Sequence, residues 1–321
     1  MKLKEWGMFA LLGLLWGSSF LWIKIALGNG GQPFLGLAIP SDAPVFGPFL
    51  LVAFRLLFGL LGLAVLIAVQ RPVIPRDPKI LLAYLFMGAF NTAIPFTLIS
   101  WGETEIDSGL ASILNGTVPL FTIVLAHFWL RDEKITLPRL GGLIVGFIGV
   151  VVLVSRDIGP GGLTGNIWGQ VAVIAASVCY AIAITFSRKY LRGQSPVVQS
   201  FMVLLIADVM MWLAVPVAES PVVLPGLPVL WFAVAWLGLL GSCVAYLLFF
   251  SLINAWGPTR ASLVTYVFPV IGLILGVTLL GETLDWRLFV GTALVVGGIV
   301  VVNFNTFAQF IPGLRPAPSA N

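Results

Sequence analysis

Charge is scarce in this chain: 17 basic and 13 acidic side chains among 321 residues, or 9%. A soluble domain carries about a quarter charged residues, so an ordinary water-soluble fold is excluded. There is a single histidine, His127, and only two cysteines, Cys179 and Cys243, both inside apolar runs. That excludes a disulfide framework, and clustered His, Cys and carboxylates at metal spacing are absent. No Gly-rich phosphate loop follows a strand, which argues against direct ATP coupling. A serine occurs in "WGSSF", but no serine-centred G-x-S-x-G accompanies it and no base stands nearby, so an enzyme is not expected. No cofactor is implied. The net charge of +4 is scattered over short connections, which excludes a nucleic-acid partner.

What is present is hydrophobicity, at 59% of residues, in continuous runs rather than the short alternating segments of a barrel. The pattern predicts an all-α polytopic membrane protein, with lipid as a partner. Ten runs reach the length of a spanning helix, near 6–27, 48–69, 80–101, 108–130, 138–154, 168–190, 197–218, 228–253, 258–280 and 286–307. The first has a basic start but is long and holds three tryptophans, so it reads as a retained helix rather than a cleaved signal.

Lys and Arg between the runs set the orientation. With the N-terminus inside, inner segments hold 13 of them: Lys2, Lys4, Arg71, Arg76, Lys79, Arg131, Lys134, Arg139, Arg188, Lys189, Arg192, Arg260 and Arg315. The outer segments hold 2, Arg156 and Arg287. Both termini are therefore expected in the cytoplasm of a cell with an inner (plasma) membrane.

The chain repeats itself. "FTLISWGETEIDSGLASILNGTVPL" (96–120) aligns with "YLLFFSLINAWGPTRASLVTYVFPV" (246–270) at an offset of 150, matching Ala111, Ser112 and Pro119 to Ala261, Ser262 and Pro269. Glu133 and Gly142 match Glu282 and Gly291 at 149; Trp16, Phe20 and Lys24 face Tyr180, Ile184 and Arg188 at 164. Two five-helix units follow, 1–155 and 156–310, with a short tail at 311–321. Five is odd, so the second unit enters the membrane from the opposite side: ten transmembrane helices as two inverted repeats.

These motifs resemble the EamA-type members of the drug/metabolite transporter superfamily. The carriers are "LLWGSSFLWIKIAL" (14–27), Arg55 in "LLVAFRLLFG", and the blocks around Pro119/Glu133/Gly142 and Pro269/Glu282/Gly291. The resemblance implies a central cavity, alternating access and secondary transport of small metabolites, often outward. The connection 28–47 is longer than expected for such a protein; it reads either as a cap over the outer mouth or as an ordered lid. A lipid-linked or scramblase-like transporter and an intramembrane enzyme are the alternatives, and the protein is expected to be a monomer or homodimer.

Candidate lining residues follow from the broken or polar steps in these helices. A proline kinks a helix and frees the carbonyl four residues back, which points to Pro119 with Asn115 and Pro269 with Thr265 and its neighbour Tyr266. Trp16, Ser18, Ser19 and Trp22 supply rings and hydroxyls in the first helix, Tyr180 and Thr185 in its counterpart. Asn91 and Thr92, then Trp101, and the matching Tyr246 complete the set. Trp22 and Trp101 also fit an interfacial aromatic belt. Arg55 and Asp208 are intramembrane charges; they suit a buried pair, or Asp208 suits a coupling proton. Lys24 is expected to snorkel to the outer surface, and Glu103, Glu105 and Asp107 to form a solvated outer connection. Glycines four apart (Gly13/Gly17, Gly142/Gly146, Gly272/Gly276) read as close helix contacts.

Overall fold

Seven of the helices carry proline in their first turn, where its missing N–H removes no helical hydrogen bond. In the computed structural model, residues 3–29, 34–37, 39–40, 42–130, 135–159, 162–163, 166–191, 193–256, 262–302 and 304 are described. Glu133, Arg131, Lys134, Arg192, Arg260 and Arg315 lie outside them.

The first run is α1 (Leu3–Gly17) and α2 (Ser19–Ala26), offset at Ser18; the second is α3 (Pro48–Gln70). The third is α4 (Pro78–Gly88), a π-helical segment (Ala89–Ala93) and α5 (Ile94–Glu105). Then come α6 (Ser108–Asn115), α7 (Val118–Trp129) and α8 (Leu137–Val154). A small antiparallel ribbon pairs Ile158–Gly159 with Gly162–Leu163. It leads to α9 (Ile167–Tyr190), α10 (Pro196–Ala218) and α11 (Pro228–Ala235). A second π-helical segment (Trp236–Val244) runs into α12 (Ala245–Trp256). After a 3-10 turn (Ser262–Tyr266), α13 (Phe268–Leu280) and α14 (Trp286–Val302) follow.

The fold is therefore helical, with eight segments long and apolar enough to cross a membrane and two shorter apolar ones at Val264–Leu280 and Trp286–Val302. Each of the ten sequence runs overlaps one of them. Outward faces are apolar, as at Val65, Val151, Leu213 and Val217, which suits a surface solvated by lipid.

The prolines act differently from the expected kink. Pro119 and Pro269 each sit in the first turn of a new helix, after a break at Gly116–Thr117 and after the 3-10 turn. At the first break the carbonyl of Leu114 accepts from the Thr117 N–H (3.1 Å), the Thr117 hydroxyl (2.5 Å) and the Ser177 hydroxyl (3.1 Å). It is thus capped internally. The two breaks meet: a Cβ added at Gly116 would lie 2.7 Å from the Pro269 ring, and one at Gly272 would lie 2.4 Å from Ser112.

Small residues also set the contact of α8 with α14. A Cβ at Gly142 would stand 2.7 Å from the Gly298 carbonyl oxygen, and one at Gly149 2.8 Å from that of Gly291. The backbones touch without intervening side chains, which is the close approach that small residues permit.

The described part of 28–47 is packed down rather than looping free. Phe34, Ile39 and Phe46 are buried, Phe34 meets the Trp22 ring edge-on, and the Phe46 N–H donates to the Ala26 carbonyl (3.3 Å).

Candidate solute-binding site

The third helix of each half winds as a π-helix at matching places: 89–93, and 236–244, which holds 239–243 at the offset of 150. A π turn widens the helix by one residue and shifts the side chains beyond it. In the first, Pro95 crowds the carbonyl of Asn91. The second has no proline; there, Gly238 approaches the Arg55 carbonyl so closely that an added Cβ would lie 2.6 Å from it.

The Trp16 indole N–H donates to the carbonyl of Gly241 in that second segment (3.0 Å). Its ring is surrounded edge-on or tilted by Tyr246 (6.2 Å), Phe249 (5.2 Å) and Phe268 (5.5 Å). The Tyr246 hydroxyl in turn hydrogen-bonds the Asn91 side chain. So α1, both π-helical third helices and α13 converge on one aromatic and polar wall.

Arg55 closes this wall from α3. It is buried, its guanidinium lies over the Phe96 ring at 4.0 Å, and its Nε has no hydrogen-bond partner. Tyr180, Tyr246 and Glu103 lie within its electrostatic reach. A desolvated cation over a ring gains about 2 kcal/mol, well short of what removing the charge from water costs. The unused Nε is a spare donor beside half-buried aromatic side chains, an arrangement that can accept an anionic or carbonyl group.

Arg55 and Asp208 do not form the ion pair that the sequence left open. Asp208, on α10, hydrogen-bonds the Trp212 side chain through one oxygen and leaves Oδ1 without a partner. The Arg55 side chain instead turns towards α5, α9 and α12.

The structure gathers Trp16, Arg55, Asn91, Tyr180 and Tyr246. Thr92 is buried beside Asn91 and accepts from its amide (3.4 Å). Asn115 leaves its side-chain oxygen buried and unpartnered at the first break, and Thr265 and Tyr266 are half-buried at the second. Others stand apart. Ser18 and Ser19 both donate to the Leu15 carbonyl, and Thr185 to Ala181, so these hydroxyls are used within their own helices. Trp22 joins a separate cluster with Phe34, Phe232 and Trp236, while Trp101 is 40% exposed on the outside of the bundle. Pro119 is half-buried and Pro269 buried, as helix starts.

Two charges behave unlike their expectation. Lys24 does not snorkel: its ammonium donates to the carbonyls of Glu103 (2.7 Å) and Ile106 (2.8 Å), capping the C-terminal end of α5. Cations are favoured there by the helix dipole as well. Glu103 is not part of a solvated connection; it has 0% exposure and both carboxylate oxygens lack hydrogen-bond partners. Sequence reasoning missed it, although Phe96, Ser100 and Glu103 keep the i, i+4, i+7 spacing of one helix face.

Around Glu103 the end of the bundle is tied together. Glu282 accepts from the Ser108 N–H (2.7 Å), the Ser108 hydroxyl (2.6 Å) and the Gly109 N–H (2.9 Å), capping α6 from the α13–α14 connection. Arg156 bridges Asp107 (3.6 Å) and Asp285 (3.8 Å). Among the described residues, no three or more His, Cys, Asp or Glu side chains group to hold a metal.

The EamA-like transporter family description matches residues 5–155 and again 167–304. An "Uncharacterized transporter" of Archaeoglobus fulgidus is 27% identical over 94% of this chain and 99% of its own length. The "Uncharacterized inner membrane transporter YedA" of Escherichia coli K12 is 26% identical over 94% of this chain and 90% of its own. A "Probable terminal-alkyne amino-acid exporter" of Streptantibioticus cattleyicolor is 26% identical over 96% and 97%. A protein of known crystal structure shares the fold at 20% identity, with a TM-score of 0.61 covering 95% of this chain and 98% of its own. The chain belongs to the EamA-like transporter family and is a multi-pass membrane transporter, not an enzyme.

Proposed function

We propose that the protein is a secondary transporter that exports small amphipathic solutes, such as amino acids or related metabolites, by alternating access. Residues 1–155 and 156–310 are its two inverted five-helix halves, with 311–321 as a tail, and both termini lie in the cytoplasm. The reading is supported by the basic residues, which favour one set of connections 13 to 2, and by relatives named as exporters.

The observation that carries the proposal is the wall formed by Trp16, Asn91, Arg55, Tyr180 and Tyr246. It draws on both halves and leaves the Arg55 Nε unpartnered among aromatic rings. A solute held there is gripped by parts that move relative to one another when the halves rock, which is how such a site is exposed first to one side and then to the other. The breaks at 115–118 and 262–268, in contact through Gly116 and Pro269, are the places where backbone can adjust during that motion.

The test is counterflow in proteoliposomes. Vesicles loaded with an unlabelled amino acid are diluted into the labelled compound, across a panel of amino acids and amphipathic metabolites. Transient protein-dependent accumulation of at least one compound is expected; a panel with no protein-dependent flux overturns the proposal.

A further inference from the structure

We infer that Glu103 is the group on which this transporter carries a proton, so that solute leaving the cell is exchanged for a proton entering it. The inference rests on the transport reading above and adds its coupling site. Glu103 occupies the last turn of α5, wholly buried, with neither carboxylate oxygen hydrogen-bonded. An anion buried without donors is far costlier than the neutral acid of the same shape, so the closed arrangement is the one that suits a protonated carboxyl.

The neighbours explain how the proton is exchanged. Lys24 on α2 stands beside the carboxyl but spends its hydrogen bonds on two backbone carbonyls. It lends charge without occupying the acid's oxygens. Arg55 on α3 lies within electrostatic reach towards the solute site, and Glu282 of the α13–α14 connection is the neighbouring anion, itself engaged on the start of α6. On α9 the nearby polar side chain, Gln170, is tied to Asp157; ahead of α6, Asp107 is paired with Arg156.

A route inward is marked out as well. Phe96, Ser100 and Glu103 share one face of α5 over about 10 Å of helix at 1.5 Å per residue. Phe96 carries the Arg55 guanidinium, and the Ser100 hydroxyl between them is buried without a partner. Buried polar atoms left unpaired in a native protein call for a species that pairs with them in another state. With the outer end open, the Glu103 carboxylate takes a proton from external water. Closure buries the neutral acid. Opening inward releases that same proton along the Ser100–Arg55 side to the cytoplasm and regenerates the carboxylate.

The full-length protein in lipid is examined by infrared difference spectra between acidic and alkaline buffers, and in proteoliposomes by accumulation of labelled amino acids under an imposed pH gradient. The wild type is expected to show a protonated-carboxyl band that vanishes on raising the pH, is absent from Glu103→Gln and persists in Glu105→Gln, which changes an exposed side chain. Gradient-driven accumulation should fall at least tenfold in Glu103→Gln. Should that variant fail to insert, Glu282→Gln serves instead: removing the neighbouring anion must move the wild-type band to lower pH. A spectrum with no band dependent on residue 103 or its neighbour overturns the inference, as does loss of the gradient response in Asp208→Asn but not in Glu103→Gln. Absence of any wild-type flux strikes the transport reading instead, and the infrared result still decides whether Glu103 holds a proton.

Discussion

Adding one methyl group at Gly298 should loosen the contact between the two halves' last helices. The new Cβ would lie 2.5 Å from the Gly142 carbonyl oxygen, 2.5 Å from the Gly146 nitrogen and 2.7 Å from the Gly146 Cα. Favourable carbon contacts sit at about 3.5–4.0 Å, so α8 and α14 must part by roughly 1 Å. Every obstructing atom is backbone, and no rotamer change relieves the clash. Overpacking of this kind costs about 1–3 kcal/mol, against a helix-propensity gain of about 1 kcal/mol for alanine over glycine. The expected net loss is about 0–2 kcal/mol. Gly297→Ala is the internal control, because nothing lies within 4 Å of its added Cβ; it should leave stability unchanged or raise it by up to ~1 kcal/mol. Reversible unfolding in mixed micelles, titrated with SDS and followed by circular dichroism, compares the two. Equal stabilities, or a Gly297→Ala weaker than Gly298→Ala, would refute the packing argument.

Glu282→Gln removes the charge from three short hydrogen bonds at the start of α6; thermal unfolding should show a loss of about 1–2 kcal/mol, and an unchanged transition would discount the cap. Trp16→Phe keeps a ring in place but removes the indole N–H donor to the Gly241 carbonyl, so stability should drop by about 0.5–1.5 kcal/mol together with solute flux; full flux would remove Trp16 from the site. Pro119→Ala and Pro269→Ala should alter stability by only about 1 kcal/mol, since both begin helices, yet impair flux by letting helix propagate through the breaks. Unchanged transport in both would reduce them to helix starts.

The helices could be read from the chain because long apolar runs are a local chemical cause, and Pro119 and Pro269 marked where two of them are interrupted, though as helix starts rather than kinks. The π-helical segments could not. One has Pro95 to hint at it, but 236–244 holds none, and its shape answers to how Gly238 meets α3. Glu103 was misplaced because three acids in "GETEID" suggest a solvated turn, whereas α5 continues through Glu105 and turns only Glu103 inward. The same tertiary fact relocates Lys24, whose partners are carbonyls 79 and 82 positions away. Ser18 and Ser19 looked like solute contacts, yet both hydroxyls find the Leu15 carbonyl within their own helix. Arg55 was singled out correctly as a buried charge, but its partner had to come from the fold: a phenylalanine ring, not Asp208.

The measurement that bears most directly on the solute site is counterflow by Arg55→Met beside the wild type, with equal amounts of folded protein verified in the vesicles. The site described above requires flux to fall by about 10–150-fold, the loss of one charge-assisted hydrogen bond worth ~1.5–3 kcal/mol. Flux undiminished in Arg55→Met would place the solute elsewhere and contradict the account.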